Sequence, residues 1–235
     1  MNGADKMIEL RNVTKKYGKK IILDDVNITF EKGKISCLLG LNGVGKSTTM
    51  KSIMRLVPIS KGEILVDGER VSEKNIDKIA FLADIPTHEI GWTVEENLRF
   101  AEIYYDSFDS EKAKRMVEFF KLPKERKLKE LSKGNLARFT IIMGLSQNSP
   151  YVLMDEPFSG LDLFSREEFI ASLKSEFMIK DQTIIITTHE IDEIEGIADD
   201  VILLEEGKVL CKFTKQEAEA EGLSVVEKMR KIYRG

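Results

Sequence analysis

Gly40-Leu41-Asn42-Gly43-Val44-Gly45-Lys46-Ser47 has the form G-x-x-x-x-G-K-[ST], the spacing of a phosphate cradle. Glycine at Gly40, Gly43 and Gly45 lets the backbone take positive φ and leaves no Cβ between the amides and a ligand. Successive N–H groups then turn inward as an anion nest. The residues expected to hold phosphate are Gly40, Leu41, Asn42, Gly43, Val44, Gly45, Lys46, Ser47 and Thr48. The apolar run from Ile35 to Leu39 predicts the strand entering the loop. Ser47-Thr48-Thr49-Met50 predicts the helix leaving it, with Met50, Ile53, Met54 and Val57 on one face at i, i+3, i+4 and i+7. A helix N-terminus adds partial positive charge to such a site. Lys46 supplies a full charge for β- and γ-phosphates, and the Ser47 hydroxyl is placed to ligate Mg²⁺. An ordinary glycine-rich turn with a chance Lys-Ser is the bland alternative, and the strand–loop–helix context disfavours it.

Outward from the loop, the chain alternates between β and α character. Ile8, Leu10 and Val13 alternate roughly, and Val26, Ile28 and Phe30 alternate cleanly. Ile64 and Val66 precede Asp67-Gly68, a hairpin signal. From about Thr93 to Gln147 the period becomes helical, with one helix starting at Val94, a second around Met116 to Phe120 and a third through Leu136, Phe139, Thr140 and Met143. Tyr151 to Met154 and Thr183 to Thr187 are apolar runs of a length suited to buried parallel strands. Ile202 to Leu210 reads as a late hairpin, and Lys215 to Tyr233 as two short helices. This pattern predicts an α/β core with an N-terminal antiparallel β portion, interrupted by a helical insertion.

Composition limits the function classes. The chain has 235 residues, of which 32% are charged and 42% hydrophobic, with a net charge of −4. No bulk basic field exists for nucleic acid, so no nucleic-acid partner is expected. Cys37 and Cys211 are the only cysteines, too few for a metal cluster or disulfide framework, which fits a reducing cytoplasmic setting. No apolar run approaches the ~18–20 residues of a membrane span, and Met1 to Glu9 lacks a signal-peptide core.

Asp155 and Glu156 directly follow the strand Tyr151-Val152-Leu153-Met154. Carboxylates at the C-terminal end of a buried parallel strand sit in the ligand crevice of an open α/β sheet. Asp155 is suited to hold Mg²⁺, and Glu156 to polarise an attacking water. Solvated turn acids before Pro157 are the alternative. His189 follows the second apolar strand, where it can hydrogen-bond a γ-phosphate and the water; a structural histidine is the plainer reading. Ser132, in Leu131-Ser132-Lys133-Gly134-Asn135, can cap the following helix and leave its N-terminal amides for a second anion. Two copies arranged head to tail would use both anion sites; a simple helix cap is the alternative.

Together these segments resemble the nucleotide-binding subunit of an ATP-binding cassette (ABC) transporter over about residues 7–212. The resemblance implies a P-loop NTPase core with an N-terminal antiparallel β subdomain and an inserted helical subdomain. The core would be 1–85 and 147–212, the insertion 86–146 and a helical tail 213–235. Leu131 to Asn135 resembles the family's signature, with Ser132 and Gly134 touching the opposite ATP. Lys133 stands where glycine is usual, either adding a cationic contact or facing solvent. Ser159-Gly160-Leu161-Asp162 resembles the loop that communicates across a dimer, Tyr17 the aromatic that stacks on adenine, and His189 the switch histidine. Asp84 stands where the family has glutamine, within reach of Mg²⁺ through water. ATP and Mg²⁺ are the implied ligands, with a second cassette, identical or related, and separate transmembrane permease subunits as partners. A "Leu-Ser-Lys-Gly" signature and the chain length resemble bacterial exporters of peptides, antibiotics or lipids, placed on the cytoplasmic face of the membrane. The rival readings are a soluble ABC ATPase outside transport, a P-loop kinase and a non-hydrolysing ATP-binding regulator.

Overall fold

A computed structural model of the chain describes residues 7–83, 88–159, 161–173, 181–189 and 191–234. Two sheets carry it. The first, antiparallel, consists of β1 (Met7–Tyr17), β2 (Lys20–Glu31), β4 (Lys61–Val66) and β5 (Glu69–Arg70) in the order β2-β1-β4-β5. The second contains β3 (Ile35–Leu39), β6 (Ile79–Leu82), β7 (Tyr151–Asp155), β8 (Thr183–Thr188), β9 (Asp200–Glu205) and β10 (Lys208–Thr214), ordered β10-β9-β3-β8-β7-β6. Its neighbours pair in parallel except β10, which returns antiparallel to β9 through Glu206 and Gly207, both at positive φ.

The uneven alternation of β1 has a local cause. Asn12 takes a φ of 50°, and the register with β2 shifts between Leu10 and Val13. That bulge returns Val13 to the buried face already occupied by Ile8 and Leu10. In the second sheet both faces are covered. Tyr151, Leu153, Ile185, Leu38 and Ile202 point towards the antiparallel sheet. Val152, Met154, Ile186, Leu39 and Leu203 point towards the helices on the other side. Successive side chains on a strand face opposite ways, so strands buried on both sides read as continuous apolar runs.

The helices are α1 (Lys46–Ile53), α2 (Val94–Tyr104), α3 (Ser110–Phe119), α4 (Lys133–Ser146), α5 (Leu163–Leu173), α6 (Lys215–Ala220) and α7 (Val225–Arg234). α1 differs from its sequence expectation at both ends. It begins at Lys46, and it stops before Val57: Arg55 takes a φ of 56°, Leu56 N bonds back to Lys51 O at 2.8 Å and Arg55 N to Ser52 O at 3.1 Å. That bond pair satisfies the last carbonyls of the helix and turns the chain, with arginine in the place glycine usually takes.

Within the helical segment, α2 starts at a capping box between Thr93 and Glu96, and α3 at an Asp109 cap. α4 is apolar along one face in its first turns, but from Ile141 to Ser146 it is buried all round. It lies there between β6 and the pair α2 and α3. Gly144 permits the approach, because a Cβ at that position would sit 2.1 Å from Leu82 Cδ1. Lys112 of α3 reaches the same end of α4, donating to Leu145 O at 2.6 Å and Asn148 Oδ1 at 3.0 Å. Burial pulls the pKa of its ammonium down to about 8. Among the described residues no helix is long and apolar enough to cross a membrane.

Candidate functional site

The C-terminal ends of β3, β8 and β7, adjacent in the second sheet, converge on one crevice. From β3 the chain enters the loop with Gly40, Gly43 and Gly45 at φ 152°, 85° and 116°. At Gly40 a Cβ would lie 2.3 Å from Leu204 O, and at Gly45 it would lie 2.7 Å from Leu23 Cδ2. β9 and β2 therefore press on the loop from behind, and only glycine fits at those two positions. Gly43 meets no such wall; its φ alone favours glycine. Leu41 and Asn42 are exposed on the loop, and Thr49 Oγ1 closes its base by donating to Gly45 O at 3.0 Å.

Lys46 curls over this loop. Its Nζ donates to Gly40 O at 2.7 Å and Leu41 O at 3.3 Å and pairs with Glu156 Oε1 at 3.1 Å, with the side chain 4% exposed. The other carboxylate oxygen of Glu156 lies 2.8 Å from His189 Nδ1. Lys46, Glu156 and His189 thus form a continuous polar chain from the phosphate loop to the end of β8. Glu156 holds a φ of 50°, an uncommon conformation for a residue with a Cβ. Its amide is fixed by Thr187, donating to O at 3.1 Å and Oγ1 at 2.9 Å. Backbone held in a rare region at a strand end is where functional sites store constraint.

Asp155 meets the start of α1, one residue after Lys46. Its Oδ1 accepts from Ser47 Oγ at 3.0 Å and from Thr187 Oγ1 at 2.7 Å. A serine hydroxyl and a buried carboxylate are hard oxygen donors of the kind Mg²⁺ takes alongside phosphate oxygens and water. Among the described residues no group of His, Cys, Asp and Glu forms a metal cage by itself. A buried ammonium over bare backbone equally fits a polyphosphate.

Tyr17 ends β1, half exposed, with Lys15 Nζ 4.4 Å from its ring centroid. Ile22 and Leu23 of β2, just beyond that hairpin, stand where a Cβ on Gly45 would meet them. Ser132 caps α4, accepting from Asn135 N at 3.2 Å. Gly134 lies against the start of α5, its Cβ position 3.1 Å from Ser165 Oγ. Asp162 caps α5 through the amide and hydroxyl of Ser165, and those bonds hold its carboxyl below the usual carboxylate range. Ser132 and Lys133 are exposed. A second cleft, of about 270 Å³, runs from Lys133 and Leu136 of α4 to Asp155 and Glu156. Asp84 and Gly160 lie outside the described residues. His88, the other histidine, packs edge-on against Phe139, where burial lowers its pKa.

Sequence reasoning missed Thr187, which organises both acids at once. The available signal was a pair of polar residues, Thr187-Thr188, closing an otherwise apolar strand.

The ABC transporter family model matches residues 23–159. The chain is 32% identical over 211 residues to the lantibiotic transport ATP-binding protein SrtF of Streptococcus pyogenes, covering 88% of this chain and 90% of that one. It is 29% identical over 222 residues to the petrobactin import ATP-binding protein YclP of Bacillus subtilis (strain 168), covering 90% and 88% respectively. A dimeric post-hydrolysis structure of the ATP-binding cassette MJ0796, bound to ADP and Pi, matches with a TM-score of 0.77 at 25% identity, over 88% of this chain and 98% of that one. With its phosphate loop, paired strand-end acids and histidine in one crevice, the chain belongs to the ABC transporter family and is an ATP-binding cassette ATPase.

Proposed function

We propose that the chain powers a membrane permease by closing on a second cassette around ATP, with each ATP held by the phosphate loop of one subunit and the capped α4 of the other. The observation that carries this reading is the polar chain Lys46–Glu156–His189, with contacts of 3.1 and 2.8 Å. The Glu156 carboxylate lies between the Lys46 ammonium and the His189 imidazole, which supports reading Glu156 as the base. Lys46 exchanges the Glu156 carboxylate for phosphate oxygens when ATP enters the loop. Glu156, released from the ammonium, takes a proton from the attacking water. His189 orients that water and the γ-phosphate, and ADP and Pi leave. Ser47 and Asp155 would hold Mg²⁺, which would supply neutralisation of phosphate charge, and Asp84 is assigned a water-mediated role towards it. Tyr17 offers a ring for adenine. The domains we assign are a core at 1–85 and 147–212, a helical insertion at 86–146 and a helical tail at 213–235.

The direction we assign is export of a peptide, antibiotic or lipid, from the cytoplasmic face of the membrane. It rests on the Leu131–Asn135 signature and on similarity to a lantibiotic transport protein. Reconstitution with its permease in inside-out vesicles should give ATP-dependent accumulation of cargo; accumulation only in right-side-out vesicles holding internal ATP would reverse the direction.

Composite sites are tested by mixing. Lys46→Ala disables one half-site, and Ser132→Arg, which fills the α4 end, disables the other. Each variant alone should hydrolyse little ATP. Together they should recover phosphate release, because a mixed dimer assembles one site from two undamaged halves. Mixing without recovery would show that each chain uses its own α4.

A further inference from the structure

Beyond His189 the chain passes through a short 3-10 helix, Ile191–Glu193, before Ile194, Ile197 and Ala198 enter the core. This segment is tied to α7 at separate points. The Glu195 carboxylate accepts from the amides of Val225 at 3.3 Å and Val226 at 2.8 Å. It sits at the first turn of α7, where a helix favours negative charge. Further along, Arg230 Nη2 donates to Asp192 Oδ1 at 3.0 Å. Val225 and Met229, buried at one face of α7, hold the helix on the core. Arg230 and Tyr233 then border a cleft of about 260 Å³ whose other walls include Gly40, Leu41, Ile191 and His189. One helix therefore binds the residues that follow the histidine and faces the entry to the phosphate loop across this cleft.

The hydrolytic reading gives α7 no task. Its core contacts are accounted for by Val225 and Met229, but the links to Asp192 and Glu195 are not. An ion pair as exposed as Arg230–Asp192, at 55% and 80%, adds little to stability. What distinguishes it is position: both acids lie within six residues of His189 in sequence and both reach the same helix. We propose that α7 is a positioning element for His189, acting through Asp192 and Glu195, with Arg230 as its positioning residue. The inference rests on the reading of His189 and Glu156 as the hydrolytic pair. The imidazole must keep its contact to Glu156 while meeting substrate, and small misplacements are costly in such geometry.

The test is a double-mutant cycle on the full chain, reading kcat and KM for phosphate release alongside thermal unfolding. Arg230→Ala should lower kcat by about three- to tenfold, with KM for ATP and the unfolding midpoint unchanged. Arg230→Lys should recover most of the rate. In a His189→Ala background, Arg230→Ala should cost nothing more. The chain has only two histidines, so their imidazole NMR signals are separable. Arg230→Ala should move the His189 signal and leave that of His88 in place. An equal loss in both backgrounds, or an unchanged rate with an unmoved His189 signal, would overturn the proposal. If His189→Ala alone hydrolyses ATP at the wild-type rate, the histidine has no role to position and both readings fall; that outcome shows without any α7 variant.

Discussion

The phosphate loop and the capped end of α4, the two halves of the proposed ATP site, are finished to different degrees. The loop is closed from behind by β2 and β9, and its lysine is almost fully buried and already paired to Glu156. The α4 end is exposed at Ser132 and Lys133, with the serine accepting from Asn135 N of its own helix. A site whose charges are satisfied internally is ready before ligand arrives. An exposed helix end acquires its full electrostatic effect only when another surface excludes water from it. In the proposed composite site, one half is thus complete within the chain and the other waits for a partner.

The largest expected effect falls on the finished half. Glu156→Gln removes the proposed base but keeps the shape of the carboxylate, and should lower ATP hydrolysis by about 10²–10⁴-fold. ATP binding should persist and the nucleotide-bound dimer accumulate in gel filtration; a wild-type rate would remove Glu156 from the chemistry. Lys46→Ala acts earlier. Loss of a charge-assisted contact should weaken ATP binding by roughly 1.5–3 kcal/mol, measured by calorimetry on the single chain. Unchanged affinity would mean that the loop amides alone hold the phosphates.

A smaller and opposite pair of effects separates the two regions by pH. Lys112, in the helical segment, has its pKa pulled down to about 8 by burial, against an ordinary 10.5. Between those values the unfolded chain binds more protons, so this lysine makes stability rise with pH. Cys37, in β3 beneath the phosphate loop, has its thiol pushed up by burial from an ordinary 9.0. Above pH 9.0 the folded chain holds the extra proton, so this thiol makes stability fall. Unfolding midpoints from pH 8 to 10.5 should therefore steepen downward in Lys112→Met and flatten in Cys37→Ala. Identical pH profiles for both variants and the wild type would show that neither group titrates differently on folding.

The parts legible in the sequence are those fixed by local spacing. The loop glycines, the Asp155-Glu156 pair after an apolar run and the Ser132 cap each depend on a few consecutive residues. What was not legible depends on register between distant strands. Thr187 meets Asp155 because β7 and β8 align those positions side by side, which no local pattern encodes. The pairing of Lys46 with Glu156 joins residues more than a hundred positions apart. The overlong apolar face of α1 misled for a different reason. Val57 kept the helical period, but the turn closed at Lys51 through Arg55, and arginine gives no signal of a left-handed cap. α4 mixes both cases: Leu136 and Phe139 marked its face, while the all-round burial of its last turns reflects where the chain carries it.

The contact of Gly144 with Leu82 also makes α4 a lever. A helix rises about 1.5 Å per residue, so Ser132 stands about 18 Å from that contact along a nearly rigid rod. With the rod bearing on β6 at Gly144, each degree of tilt would carry the serine hydroxyl about 0.3 Å. A rotation of a few degrees at the fulcrum spans the difference between a hydrogen bond and none.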